Sequence, residues 1–231
     1  MDLAERGWIT VLVAGLTADA FGTNCYVLAA GEGEQCVVVD PGIGVADRLA
    51  DLLSRHRLHP AAVLLTHGHI DHTFSVTPVC AARDVPAYVH PGDRAMLADP
   101  TIGLSADLRA LFGEGFIWSE PADVLELVEG QPLRLVGLEF TIDHAPGHTQ
   151  GSVLLRADAA DAPLCLSGDV LFAGSVGRTD LPGGDPDAML ASLRDKILPL
   201  ADETVVLPGH GPRTTIGRER ARNPFLREAQ Q

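Results

Sequence analysis

The stretch Ala62-Val63-Leu64-Leu65-Thr66-His67-Gly68-His69-Ile70-Asp71-His72 decides how this chain is read. An apolar run of strand length comes first, and three histidines and an aspartate then arrive within six positions. A polar surface loop accounts for one or two such residues and hardly for four, whereas a metal ion needs several lone-pair donors in one place. His67 and His69 are two apart in extended chain, so both rings can point to one side. Asp71 and His72 follow where the chain turns towards a helix and face a neighbouring point. Two donors and two donors indicate a pair of adjacent divalent ions, roughly 3.5–4 Å apart in two-metal sites. Such a pair needs further ligands, including a bridging carboxylate.

The same pattern recurs further along the chain. The strand-like run Glu139–Ile142 leads into Asp143-His144-Ala145-Pro146-Gly147-His148-Thr149. Leu164–Leu166 runs into Ser167-Gly168-Asp169, and Thr204–Leu207 into Pro208-Gly209-His210-Gly211. Rigid strands that end in such turns hold loop residues in place at the carboxyl edge of a sheet. The donor set is then His67, His69, Asp71, His72, His148, Asp169 and His210, with Asp169 as the bridge. All donors are nitrogen or oxygen, which suits zinc, iron or manganese and does not choose among them.

Outward from these segments the chain reads as one compact α/β domain over 1–231. Further strands are expected at Ile9–Val13, Tyr26–Ala30, Cys36–Val39, Ala87–Val89, Leu133–Val136 and Val153–Leu155, several Val-rich and bounded by Gly, Pro or Asp. Helical spacing marks Val45–His56 and Asp187–Leu198, and more weakly Thr73–Arg83, Asp93–Leu97 and Asp107–Leu111. Strands that cluster early and then mix with helices suggest two sheets covered by helices. Residues 93–120 form a lid or a helical wall, and their pattern does not say which.

Composition narrows the partners. With 46% hydrophobic and 21% charged residues a sizeable core is available. A net charge of −14, from 17 cationic against 31 acidic residues, argues against a nucleic acid or an anionic membrane as partner. No apolar run approaches membrane-spanning length. Cys25, Cys36, Cys80 and Cys165 form no CxxC pair, which fits reduced thiols and a cytoplasmic protein. Apolar Ile9–Leu16 before Ala18-Asp19-Ala20 mimics a signal peptide, but its flank (Asp2, Glu5, Arg6) is net acidic where a signal peptide starts positive.

The motifs THGHIDH, APGHT, SGD and PGHG, in this order, resemble those of the metallo-β-lactamase superfamily, most closely the hydroxyacylglutathione hydrolases (glyoxalase II) and their shorter bacterial relatives. The likeness covers nearly the whole chain, through Asn24-Cys25-Tyr26, Val39-Asp40-Pro41-Gly42, the segment from Phe172 to Asp180 and that from Thr215 to Asn223. It implies an αββα four-layer sandwich of two mixed sheets flanked by helices. His67, His69 and His148 would hold a first metal, and Asp71, His72 and His210 a second, with Asp169 between them. Two zinc ions per chain are the expected cofactor. The implied reaction is metal-dependent hydrolysis of a small-molecule thioester, built from a small 2-hydroxy acid and a low-molecular-weight thiol. Asp71 would carry protons and Arg178 would clamp a substrate carboxylate. The runner-up is a persulfide dioxygenase with a single iron on the same fold. Superfamily members with Arg at the position of His72, and Cys near the bridge, include many β-lactamases, so antibiotic hydrolysis is disfavoured here. Only 21 residues follow His210, so no separate C-terminal glutathione-binding helical domain is expected.

Two features mislead. Gly42-Ile43-Gly44-Val45-Ala46-Asp47 imitates a dinucleotide fingerprint, but Asp47 stands where the third glycine belongs and would repel a pyrophosphate. Ala173-Gly174-Ser175-Val176-Gly177 lacks the first glycine of a serine-hydrolase elbow. His56, His59 and His90 are expected at exposed strand or helix ends. His144 is read as packing beside the site more than as a ligand.

Overall fold

The computed structural model describes residues 10–112 and 118–231. The acidic flank Asp2, Glu5 and Arg6 and the first residue of the Ile9–Val13 strand lie outside them. Two six-stranded sheets stack face to face. The first orders β1 (Leu12–Thr17), β2 (Asn24–Ala29), β3 (Gln35–Val39), β4 (His59–Leu64), β5 (Ala87–Val89) and β6 (Val124–Glu126). Its first two pairings are antiparallel and the remaining three parallel. The second sheet runs β12 (Thr214–Thr215), β11 (Val205–Pro208), β10 (Leu164–Gly168), β9 (Val153–Ala157), β8 (Leu138–His144) and β7 (Leu133–Leu135). Only its β10–β11 pair is parallel.

Alternation along the central strands makes the layers. In β3, Val37 and Val39 join the core between the sheets, while Cys36 and Val38 face α1 (Ala46–His56) and α3 (Val76–Arg83). In the second sheet Val153, Leu155, Leu164 and Leu166 point to that same inner core, with Phe140 and Ile142. Leu154, Cys165 and Val206 point outwards, against α6 (Pro186–Ser192), α7 (Ile216–Arg222) and α8 (Pro224–Ala229). Strands buried on both faces must be apolar throughout, which is why these runs read as unbroken Val and Leu. The result is the expected αββα sandwich. All four cysteines are buried and free, and burial pushes the thiols of Cys36, Cys80 and Cys165 up to about 12.

Helix ends follow local chemistry. Asp185 accepts from the backbone N–H groups of Asp187 and Ala188, with Pro186 in the first turn of α6. Instead of continuing to Leu198 as a regular helix, the chain passes into a π-helical turn at Leu193–Ile197. The expected Thr73–Arg83 helix is two pieces, α2 (Ile70–Thr73) and α3, because Ser75 is pulled to the Pro41-Gly42 turn. Its N–H donates to Pro41 O (2.9 Å) and its hydroxyl to Gly42 O (2.6 Å). Gly42 belongs to the site's scaffold and not to a nucleotide loop: a Cβ there would collide with the Asp71 carbonyl. Short α4 (Arg94–Ala98) and α5 (Ala106–Phe112) follow β5. No helix among the described residues is long and apolar enough to cross a membrane.

Candidate metal centre

All the loops that carry candidate donors leave the same edge of the sandwich. β3 and β4 are parallel, so Asp40 and the His67–His72 segment emerge side by side. β8 and β10 both run antiparallel to β9, and β11 is parallel to β10, so His148, Asp169 and His210 also emerge together. Cross-links join the two edges: Val153 N donates to Thr66 O (2.9 Å) and Asn24 N to Gly209 O (2.7 Å), while Gly209 N donates to Gly168 O (2.8 Å) within the second sheet's edge.

The seven predicted donors converge there. Ligand-capable atoms of His67, His69 and His148 lie within 4.8 Å of one another, as do those of Asp71, His72 and His210. A third group, His67, His72 and Asp169, takes one member from each triad. Asp169 spans the two: its Oδ1 is 3.4 Å from His72 Nε2, and its Oδ2 is 3.4 Å from both His148 Nε2 and His210 Nε2.

The outer nitrogen of most rings is spoken for, which aims the other inwards. Thr66 Oγ1 donates to Asp40 Oδ2 (2.6 Å), so it accepts from His67 Nδ1 (3.1 Å). His72 Nδ1 donates to Asp40 Oδ2 (3.0 Å), His148 Nδ1 to Arg178 O (2.7 Å) and His210 Nδ1 to Phe21 O (3.1 Å). Ring nitrogens then face one another: His69 Nδ1 is 2.8 Å from His148 Nε2, and His72 Nε2 is 3.3 Å from His210 Nε2. His67 Nε2, His69 Nε2 and Asp169 Oδ1 are buried with no hydrogen-bond partner among the described residues. Orphaned acceptors converging in a buried pocket are costly unless a cation sits among them, so these residues fit a metal centre.

Electrostatics agree. Burial, reinforced by His72 and His148, pulls His67 well below the usual imidazole range, and burial with His148 takes His69 to about 3. Both are neutral donors at pH 7. Around the second triad burial opposes charge but is outweighed. His72, beside Asp71 and Asp169, is held well above its ordinary value, and Asp169 and Asp71 raise His210 to about 9. In Asp71 and Asp169, too, burial is outweighed, by His72 and His210 in turn, and both are held low. The two carboxylates thus demand positive charge at this spot, which protons or a metal can supply.

Two buried aspartates that the sequence reading gave no role hold the loops. Asp40 accepts from Thr66 N (2.9 Å) as well as from Thr66 Oγ1 and His72. Its place directly after a buried strand is the same signal that found the ligands. Asp93 is fully buried and accepts from Gly68 N (2.8 Å), Thr149 Oγ1 (2.6 Å) and Gly151 N (2.7 Å), tying the His67–His69 loop to the His148 turn. No spacing in the sequence announces it. His144 is no part of the cluster: it stacks on His90 with ring centroids 4.1 Å apart and contacts Gln150 O through Nε2 (2.8 Å). His90 is accordingly half-buried, not free in solvent.

The cluster floors a cleft of ≈ 810 Å³ with apolar walls from Phe21, Ile70, Leu104, Leu108, Phe172 and Leu181. Leu104 and Leu108 settle part of the 93–120 question: the described part of that segment contributes wall. Phe21 is 65% exposed at the rim and holds a left-handed φ of 60°. Arg178 lines the cleft too, but its guanidinium is engaged by Asp180, Nε to Oδ1 at 2.6 Å and Nη2 to Oδ2 at 2.7 Å.

A family model described as the metallo-β-lactamase superfamily matches residues 18–210, and the chain belongs to that superfamily. It is 49% identical to an uncharacterized protein of Mycobacterium tuberculosis (strain ATCC 25618 / H37Rv), over 94% of this chain and 98% of that one. With hydroxyacylglutathione hydrolase GloC of Haemophilus influenzae it shares 35% identity over 90% of this chain and 94% of GloC. Among solved structures, BLEG-1 B3 metallo-β-lactamase superposes with a TM-score of 0.80 at 39% identity, covering 93% of this chain and 99% of that one. TTHA1623, solved in a di-iron-bound form, gives 0.76 at 40% identity, covering 92% and 100%.

Proposed function

We propose that this chain is a metal-dependent thioester hydrolase that splits a small 2-hydroxyacyl thioester into the hydroxy acid and a low-molecular-weight thiol. One observation carries the reading: two donor triads share the carboxylate Asp169 at the floor of an apolar-walled cleft. The likeness to GloC supports the thioester as substrate. His67, His69 and His148 would hold one ion and Asp71, His72 and His210 the other, bridged by Asp169. Zinc is the proposed metal, with iron or manganese compatible with the same donors. Bound there, two divalent cations supply a water acidified towards neutrality and an electrophilic partner for a carbonyl oxygen.

The residues do the rest. Asp71 accepts from Thr23 Oγ1 (2.9 Å) and faces His210 Nε2 (3.3 Å), so its ionised carboxylate is positioned to take up and pass on a proton at the cleft floor. Phe21, Leu104, Leu108 and Phe172 exclude bulk water and pack against the methylene portion of the substrate. The leaving group is a thiolate whose thiol ionises near pH 8.5, so it departs without a strong acid behind it, and no covalent enzyme nucleophile is required.

The test is loss of S-lactoylglutathione by zinc-loaded protein, beside a chelated sample and a His69→Ala variant. Turnover abolished in both controls is expected; no turnover in the loaded protein, of this thioester or of its carboxylate-free diethyl ester counterpart, overturns the reading. Lactam hydrolysis, favoured by the BLEG-1 likeness, is scored on a chromogenic cephalosporin in the same series. Oxygen uptake on a persulfide in place of thioester loss would shift the assignment to the dioxygenase.

A further inference from the structure

Among the described residues that line the cleft, Arg178 carries the one permanent cation; Asp71 and Asp169 supply anions, and the whole chain carries −14. A carrier thiol with carboxylates would need Arg178, whose planar fork suits a carboxylate. One edge of that fork is already taken and its charge is balanced. Asp180 meets it in two parallel hydrogen bonds of 2.6 and 2.7 Å, two residues along the same loop. The loop itself is pinned, since Arg178 O accepts from His148 Nδ1 (2.7 Å) and Gly177 N donates to Asp169 O (2.9 Å). The Arg178 backbone is therefore fixed beside the metal cluster while its side chain is 59% exposed and that of Asp180 68% exposed.

We propose that Asp180 is a specificity residue: by neutralising the guanidinium of Arg178 it makes the cleft favour acyl thioesters whose carrier arm bears no carboxylate. This rests on the thioesterase reading. An anionic arm must take the remaining Nη edge of an already neutralised guanidinium, with the Asp180 carboxylate repelling it close by, whereas an arm without carboxylates meets no such cost. The surface ion pair is weak enough to exchange, so the effect is a preference and not a block.

S-methylglutathione and its diethyl ester make a matched pair of probes, the same arm with and without carboxylates. Their dissociation constants are measured by calorimetry on metal-loaded protein. The wild type is expected to bind the diester more tightly. In Asp180→Asn the ratio should move about 5–10-fold towards the diacid, and in Arg178→Ala/Asp180→Asn it should return to favouring the diester. Asp84→Asn, the same charge change at the end of α3, should move it less than about 2-fold. A wild type that prefers the diacid, or a ratio unmoved by Asp180→Asn, overturns the proposal. Turnover of the S-lactoyl thioesters of the same two carriers is read separately. If neither is hydrolysed the thioesterase reading falls, while the binding ratio still decides the role of Asp180.

Discussion

Asp93→Asn probes how the fold holds its first triad. The carboxylate is fully buried, with Oδ2 accepting from Gly68 N and Thr149 Oγ1 and Oδ1 from Gly151 N. Asparagine keeps one acceptor corner. With its oxygen at the Oδ2 position two bonds survive, and the amide NH₂ then faces the Gly151 N–H, donor against donor. A hydrogen bond to a charged group is worth about 1.5–3 kcal/mol and a stranded buried N–H costs about 1–3. Burial already pushes the Asp93 carboxyl above its ordinary value, so removing the charge returns part of that loss. A net cost of about 2–3 kcal/mol follows, or a fall in Tm of about 5–10 °C for a chain of this size. The second readout is metal affinity. The loops of His67, His69 and His148 are the ones Asp93 joins, so that triad should weaken about 10–100-fold, the range known for residues behind metal ligands. The triad of Asp71, His72 and His210 should change much less. Stepwise metal titration with thermal unfolding measures both. An unchanged Tm, or equal weakening of the two triads, would refute the reasoning.

Further predictions concern pH and packing. In metal-free protein His67 and His69 are depressed on folding, so the unfolded chain binds more protons below pH 6.5 and stability drops as pH falls from there. His72 and His210 are raised, so the stability they give is present below pH 6.5 and is lost as pH climbs, through about 9 for His210. Thermal unfolding of the metal-free protein should therefore peak near pH 6.5, and metal loading should remove the alkaline decline; a Tm that rises steadily from pH 6.5 to 9 without metal would count against it. Gly209→Ala should abolish metal uptake in a chain that still folds, because a Cβ there collides with Asp169 Oδ1 and presses on His72 Cε1. Normal metal content in that variant would contradict the geometry.

Much of this architecture was legible because buried strands must be apolar on both faces, so Cys36–Val39, Ala62–Leu65 and Leu164–Leu166 stood out as Val and Leu runs. β6 and β12 are too short to show a period, and β6 is half-exposed. α7 passed unseen because Ile216-Gly217-Arg218-Glu219 has a glycine in its first turn and is mostly polar. It is secured instead by the Thr215 cap and by buried Glu219, which accepts from Thr214 Oγ1 (2.6 Å). The donors were readable since each follows a strand and a tight turn. Their supports were less so: Asp40 shares that signal, but Asp93 acts through contacts 25 and 56 residues away, which no local pattern encodes. The neutralised fork of Arg178 likewise needed coordinates, because a Gly-Arg-Thr-Asp segment does not say where its charges point.

Two metal sites that share one carboxylate explain the whole arrangement of donors. Crystals of zinc-loaded protein, with anomalous scattering at the zinc edge, test it directly. Two zinc peaks per chain are expected, one within each triad, with loss of the shared arrangement in Asp169→Asn. A single peak confined to His67, His69 and His148, with Asp71 and His210 left unligated, would contradict it.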